Sequence, residues 1–135
     1  MNRKWQIWPR DDRGSASAEL MIATPLLLLM LMAIVQFALW SHATHIAQAA
    51  AAQGLATARA HNGTSSAGAE VTRQVLDQLA SGPLRDASVA AGRDAESASV
   101  TVHGTATPVL PFLSLPVHAE AAGPVERFTP DVAGG

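Results

Sequence analysis

Apolar and polar positions are distributed unevenly, and the longest uniform stretch comes early. From Leu20 to Trp40 the chain reads LMIATPLLLLMLMAIVQFALW, twenty-one residues without a charge. At about 1.5 Å per residue such a helix spans roughly 30 Å, the thickness of a bilayer's hydrocarbon core. A buried helix of a soluble protein is the competing reading. It fails because so few residues lie outside the run that they cannot surround a helix apolar on every face. The pattern therefore predicts a membrane-spanning helix. Pro25 sits near its start, where a lost hydrogen bond is tolerated, and Gln36 and Trp40 fall where an interfacial region is expected. Residues 41–60, SHATHIAQAAAAQGLATARA, are helix formers apart from Gly54, so the helix should continue as a stem to about Ala60. His61-Asn62-Gly63 supplies the stop. Ala49 to Ala52 offer a small-residue surface that another helix can approach closely, in keeping with assembly among stems.

Beyond the stem the periodicity changes twice. Residues 70–80 read as a short amphipathic helix, with Val71, Val75, Leu76 and Leu79 on one side and Gly82-Pro83 ending it. From Ala98 the period becomes two. Ala98, Val100, Val102, Gly104 and Ala106 alternate with polar residues, and after a proline-containing turn Leu113, Leu115, Val117, Ala119 and Ala121 do the same. Two alternating runs predict an antiparallel hairpin, with Pro116 placing the second on an edge and His103 facing His118. A weaker strand is predicted over 87–91, and Gly123-Pro124 should end the pattern. The fold class is then α+β: a long N-terminal transmembrane helix with an alanine-rich extension, a short helix, and a small antiparallel β-hairpin or meander. The organisation predicted is a leader at 1–14, helix and stem at 15–60, an outer domain at 61–128, and a flexible tail at 129–135.

Charge sets the expected orientation. Residues 1–14 hold Arg3, Lys4, Arg10 and Arg13 against Asp11 and Asp12, whereas beyond them five arginines face nine acids. On the far side of the apolar run the first basic residue is Arg59. Basic flanks stay in the cytoplasm, so the expected topology is a single pass through the cell membrane, N-terminus inside and the C-terminal domain extracytoplasmic. The alanine-rich composition allows only a thin core outside the membrane. There are no cysteines, which excludes disulfides and thiolate chemistry. His42 and His45 are i,i+3 on the stem, but the remaining histidines are scattered and no acid lies near the pair, so no metal is expected. Nucleophile elbow, phosphate loop and basic-aromatic patch are all missing, and the expectation is no enzyme, no cofactor and no nucleic acid.

The junction ahead of the span carries the chemistry. Arg13-Gly14-Ser15-Ala16-Ser17-Ala18-Glu19 sets a basic leader, a glycine and, five residues later, a glutamate at the mouth of the apolar helix. A carboxylate at mid-bilayer costs about 3 kcal/mol, less near the edge, unless it finds a partner. Cleavage after Gly14 would give Ser15 a free ammonium, and that group on a neighbouring subunit is a natural partner for Glu19. Residues 13–40 resemble the type IV pilin-like group and, within it, the TadE-like family of tight-adherence (Flp) pilus assembly proteins. They share its Arg-Gly, small residues, glutamate, proline six residues later and leucine-rich run. Leu20 follows the glutamate where the family usually has phenylalanine, and Gln36 stands where many members carry a second acid. The resemblance implies processing by a prepilin peptidase between Gly14 and Ser15, subunit docking through Glu19, and a minor pilin or pseudopilin role. Its partners would be the lipid bilayer, the peptidase, other pilin-like subunits and pilus assembly proteins. Two alternatives stay open. One is an uncleaved single-pass anchor with a small extracytoplasmic interaction domain. The other is release by a conventional signal peptidase at Ala47-Gln48-Ala49, although the apolar run exceeds the usual core of such peptides, about 7–15 residues.

Overall fold

A computed structural model of the chain describes residues 12–130; the leader residues Arg3, Lys4 and Arg10 and the tail beyond Pro130 lie outside the described residues. Five elements follow in order: α1 (Asp12–Arg59), α2 (Ser65–Leu79), β1 (Leu84–Arg93), β2 (Ser97–Ala106) and β3 (Pro116–Pro124). The first helix is continuous over 48 residues, about 70 Å at 1.5 Å per residue. It joins the apolar run and the alanine-rich stem without a break, as the sequence predicts. Its two halves meet different surroundings. Leu20 to Val35 are exposed apart from partly covered Ala23 and Met32, whereas Ala43, Ile46, Ala47, Ala50, Ala51, Gly54, Leu55 and Ala58 are buried. The first half is long and apolar enough to cross a membrane, and this chain covers almost none of it.

The buried face of α1 holds mostly residues with no side chain beyond a methyl. Each such group contributes only about 0.8 kcal/mol on burial, so closeness of approach has to compensate for small area. Closest approach comes at Gly54. A Cβ there would collide with Thr72 Oγ1 and stand 2.7 Å from the Gly68 carbonyl oxygen; one on Gly68 would stand 2.7 Å from Ala58 Cβ. Thr72, fully buried, donates its hydroxyl to the Gly68 carbonyl at 2.8 Å, so the crossing leaves no polar atom of that side chain unpaired. The small-residue surface is thus spent inside the molecule: Ala50 and Ala51 are covered by the chain's own domain, and of that quartet only Ala49 and Ala52 face outward. This corrects the expectation that the stripe serves other stems.

The second helix starts at Ser65, five residues before the predicted Glu70. Thr64 caps it, accepting from the Ala67 N–H at 3.0 Å, and this side-chain cap overrides the loop-like look of Ser65-Ser66-Ala67-Gly68. Its buried stripe runs through Gly68, Ala69, Thr72, Val75 and Leu76, and Leu79 lies outside it. The carboxyl end of α1 is held by Arg93, whose Nη1 donates to the carbonyls of Ala58 and, at 2.9 Å, Ala60. A cation there complements both the free carbonyls and the helix dipole.

The sheet is antiparallel in the order β1-β2-β3, so Pro116 does lie on an edge strand. Val100, Val102, Val117 and Ala119 point inward, and His103 pairs with His118 in register, Nδ1 to Nδ1 at 3.2 Å. The weak strand over 87–91 extends from Leu84 to Arg93, interrupted by a register shift where Asp86 adopts a positive φ of 53°. The last strand departs from prediction at both ends. It begins at Pro116, leaving Leu113 and Leu115 in the preceding loop, and it continues through Gly123-Pro124 instead of ending before them.

Two predictions follow from packing and turn chemistry. Gly54→Ala gains about 1 kcal/mol of helix propensity but loses about 1–3 kcal/mol to overpacking at a crossing that cannot open locally. Urea unfolding of the full chain in detergent micelles, followed by amide exchange of β2, should show the variant less stable; equal stability would mean that the crossing relaxes. At the β1–β2 turn, Asp94 accepts from the backbone N–H groups of Glu96 at 2.8 Å and Ser97 at 2.7 Å and from the Ser97 hydroxyl at 3.0 Å. These bonds hold its carboxyl below the ordinary 3.8. A lowered folded value stabilises above the unfolded value and ceases to do so as pH falls through the folded one. Unfolding measured from neutral pH downward should therefore lose stability below about pH 4, with a flatter acid limb for Asp94→Ala.

Candidate functional site

The first candidate site lies in the opening turns of α1. Gly14, Ser15 and Glu19 are all helical and exposed, and a Cβ on Gly14 would meet nothing within 4 Å. The described residues are helical from Asp12 onward, so the Gly14–Ser15 bond lies within the helix. Ser15 and Glu19 stand four residues apart, on one face about one turn apart. Ser15 Oγ donates to the Asp12 carbonyl at 3.0 Å, and Ser17 Oγ to that of Arg13 at 3.1 Å, which occupies both hydroxyls locally. The geometry also weakens one simple explanation of Glu19. An acid favoured by the helix dipole belongs in the first turn, and Asp12 occupies that place; Glu19 is two turns further in, where the dipole's effect has faded.

The second feature was not anticipated from the sequence. Gln36, expected to sit in an interfacial region, is only 1% exposed. Its Oε1 accepts from the backbone N–H groups of Val109 at 2.7 Å and Leu110 at 3.3 Å, and its Nε2 donates to the Thr107 carbonyl at 3.4 Å. One turn further along α1, Trp40 Nε1 donates to the Pro116 carbonyl at 3.0 Å, and the Trp40 ring leans on Phe37, centroids 5.7 Å apart. These two side chains fasten the loop between β2 and β3, residues 107–115, along the outer end of the apolar run. The amide chemistry explains why a neutral residue suits position 36. A carboxylate would accept the two N–H bonds but could not donate to Thr107, whose carbonyl it would repel. The available signal was a lone amide in an uncharged apolar run, paired with a distant loop, TPVLPFLSL, that is itself uncharged.

The remaining chemistry is sparse. His42 and His45 are exposed on α1, and among the described residues no group of three or more His, Cys, Asp or Glu side chains is placed to hold a metal. Arg59 and Glu126 approach to 3.5 Å across the far end of the domain, a partly exposed pair of small energetic weight. Ala47, at the alternative A-x-A processing sequence, is fully buried within the unbroken α1. Cutting there would remove Gln36, Trp40, Ala43 and Ile46 from the fold.

The loop clamp is open to a direct test. Gln36→Leu strands two backbone N–H groups and one carbonyl and should cost about 1–3 kcal/mol. Amide exchange at Val109 and Leu110 in the full chain should accelerate while exchange in the β1–β2 ladder is preserved. Unchanged protection at both positions would show that the amide does not hold the loop.

No curated protein and no solved structure matches the chain. A family model does: the one described as TadE-like protein matches residues 14–55. That interval opens at Gly14, takes in Ser15, Glu19, the whole apolar run and Gln36, and closes at Leu55 within the α1–α2 crossing. The segment from the candidate cleavage site to the core of the outer domain is therefore TadE-like.

Proposed function

We propose that this protein is a TadE-like minor pilin or pseudopilin used in assembling a tight-adherence (Flp) pilus. Its N-terminus stays in the cytoplasm, α1 crosses the cell membrane, and the α+β domain stands outside. A prepilin peptidase cuts between Gly14 and Ser15, and Glu19 then pairs with the new Ser15 ammonium of a neighbouring subunit. One observation carries this reading: Gly14, Ser15 and Glu19 lie together on exposed turns at the mouth of an uncovered apolar helix, in the segment that matches the family. The open surroundings of Gly14 leave the bond approachable once the first turn unwinds. Within one chain the Ser15 ammonium and Glu19 would form an i,i+4 pair worth only about 0.3–0.5 kcal/mol when exposed. The same charges between subunits, at the edge of hydrocarbon, spare Glu19 a larger share of its desolvation cost. The outer domain is assigned to contacts with other pilus components.

The runner-up is an uncleaved anchor whose outer domain binds an envelope partner. Mass spectrometry of the mature N-terminus separates the two, a start at Ser15 supporting pilin processing and a start at Met1 or Ala50 sinking it. Glu19→Ala should abolish assembly while the protein still inserts in the membrane; normal assembly by that variant would favour the anchor.

A further inference from the structure

We infer that the β2–β3 loop is a second membrane contact, its tip at Pro111-Phe112 seated in the interfacial layer of the outer leaflet; this rests on α1 spanning the bilayer. The first argument is length. Glu19 sets the charged limit on one side, and the uncovered apolar stretch from Leu20 to Val35 is sixteen residues. At 1.5 Å each it spans about 24 Å, short of a hydrocarbon core near 30 Å by about 6 Å. The five residues from Gln36 to Trp40 make up that distance, and at this level the loop is fastened: Val109 and Leu110 at Gln36, Pro116 at Trp40. The missing layer of apolar thickness and the loop coincide.

The loop has the composition such a place requires. Residues 107–115 carry no charge, and Leu110 is buried against the domain. Its turn is closed by the Leu113 N–H donating to the Leu110 carbonyl at 3.0 Å, which puts Pro111 and Phe112 at the corners. Phe112 is 79% exposed, more than any large apolar residue of the span except Met21, which equals it. Part of the loop's polar backbone is paired, at its base by Gln36, by the Thr107 N–H donating to Pro83 and by Leu115 accepting from Ala106. The groups left at the tip suit the hydrated interfacial layer and not the hydrocarbon core. Leu79, 53% exposed at the end of α2, lies at this same end of the domain. Arg85, opposite Thr105, and the adjacent Asp86 place charge on β1 beyond the base of the loop and confine insertion to the tip. The charged groups Arg59, Arg93, Asp94, Glu96 and Glu126 gather at the opposite end.

The absence of cysteine makes the test clean. Full-length protein with a single Phe112→Cys, Met30→Cys or Ser66→Cys change, labelled with an environment-sensitive fluorophore, is reconstituted at low density in phosphatidylcholine–phosphatidylglycerol vesicles. Lipids brominated at shallow or deep acyl positions then report depth, and iodide reports water. Expected are deep quenching at Met30, shallow quenching with loss of iodide access at Phe112, and full iodide access at Ser66. Iodide access at Phe112 equal to that at Ser66, with Met30 still deep, overturns the loop contact alone. Iodide access at Met30 as well overturns the span on which it rests. Protection of Phe112 that appears only at high protein density, without lipid quenching, assigns the tip to a neighbouring subunit and also overturns the proposal.

Discussion

The outer domain depends on one constraint: a single helix face, built almost entirely of alanine and glycine, must hold two different partners. Ala43, Ala47, Ala50, Ala51 and Ala58 offer little area, and the chain compensates with distance. Gly54 and Gly68 let α1 and α2 touch backbone to backbone, and the sheet closes over the rest of the face with Val100, Val102 and Val117. In so thin a core a single methylene matters, because there is no slack volume to absorb it. Arg93 works to the same end from outside, tying the sheet's turn region to the last carbonyls of α1.

That constraint also fixes where the domain stops. Its cover over α1 ends near Gln36, and a buried amide marks that limit more sharply than hydropathy does. Before it the large side chains of the helix are uncovered apart from partly covered Met32; after it one face of the helix is core. An unpaired amide in either medium would be costly, so Gln36 must take backbone partners, and those partners come from a loop whose own polar groups need satisfying at that depth. Loop and helix each answer the other's deficit. The Trp40 indole repeats the arrangement one turn away.

How much of this was legible in the sequence follows from how local each signal is. The long helix was, since twenty-one uncharged residues and an alanine-rich stem leave no competing periodicity. The hairpin was, because strict alternation and the facing histidines set its register. Its second strand was misplaced because Leu113 and Leu115 continue the period of two while serving the loop, and Gly123-Pro124, a turn signal by composition, still pairs with Ala98 and Ser97. The start of α2 was hidden by Gly68, which weakens a helix locally yet is required by the contact with Ala58. Gln36 was noticed and its partners were not, since they lie more than seventy residues away. The site at Gly14, Ser15 and Glu19 is a linear motif, so its positions could be read directly; that all three are helical could not.

A continuous α1 couples the junction to the outer domain mechanically. From Glu19 to Arg59 the helix runs about 60 Å, and a helix fixes rotation as well as height: 100° and 1.5 Å for each residue. If Glu19 docks the subunit as proposed, the direction in which the sheet is presented is set by the helix and not by a linker. Pro25 is the one break in the ladder, removing the hydrogen bond to Met21 and lying between the acid and everything the domain covers. Bending there changes the tilt of the domain relative to Glu19 without disturbing the Gln36 clamp eleven residues on. The chain thus places its compliance within the apolar run, near Glu19, and keeps the length that carries the folded domain stiff. In the proposed pilin role, such a division would let Glu19 settle against a neighbour while the orientation of the domain is preserved.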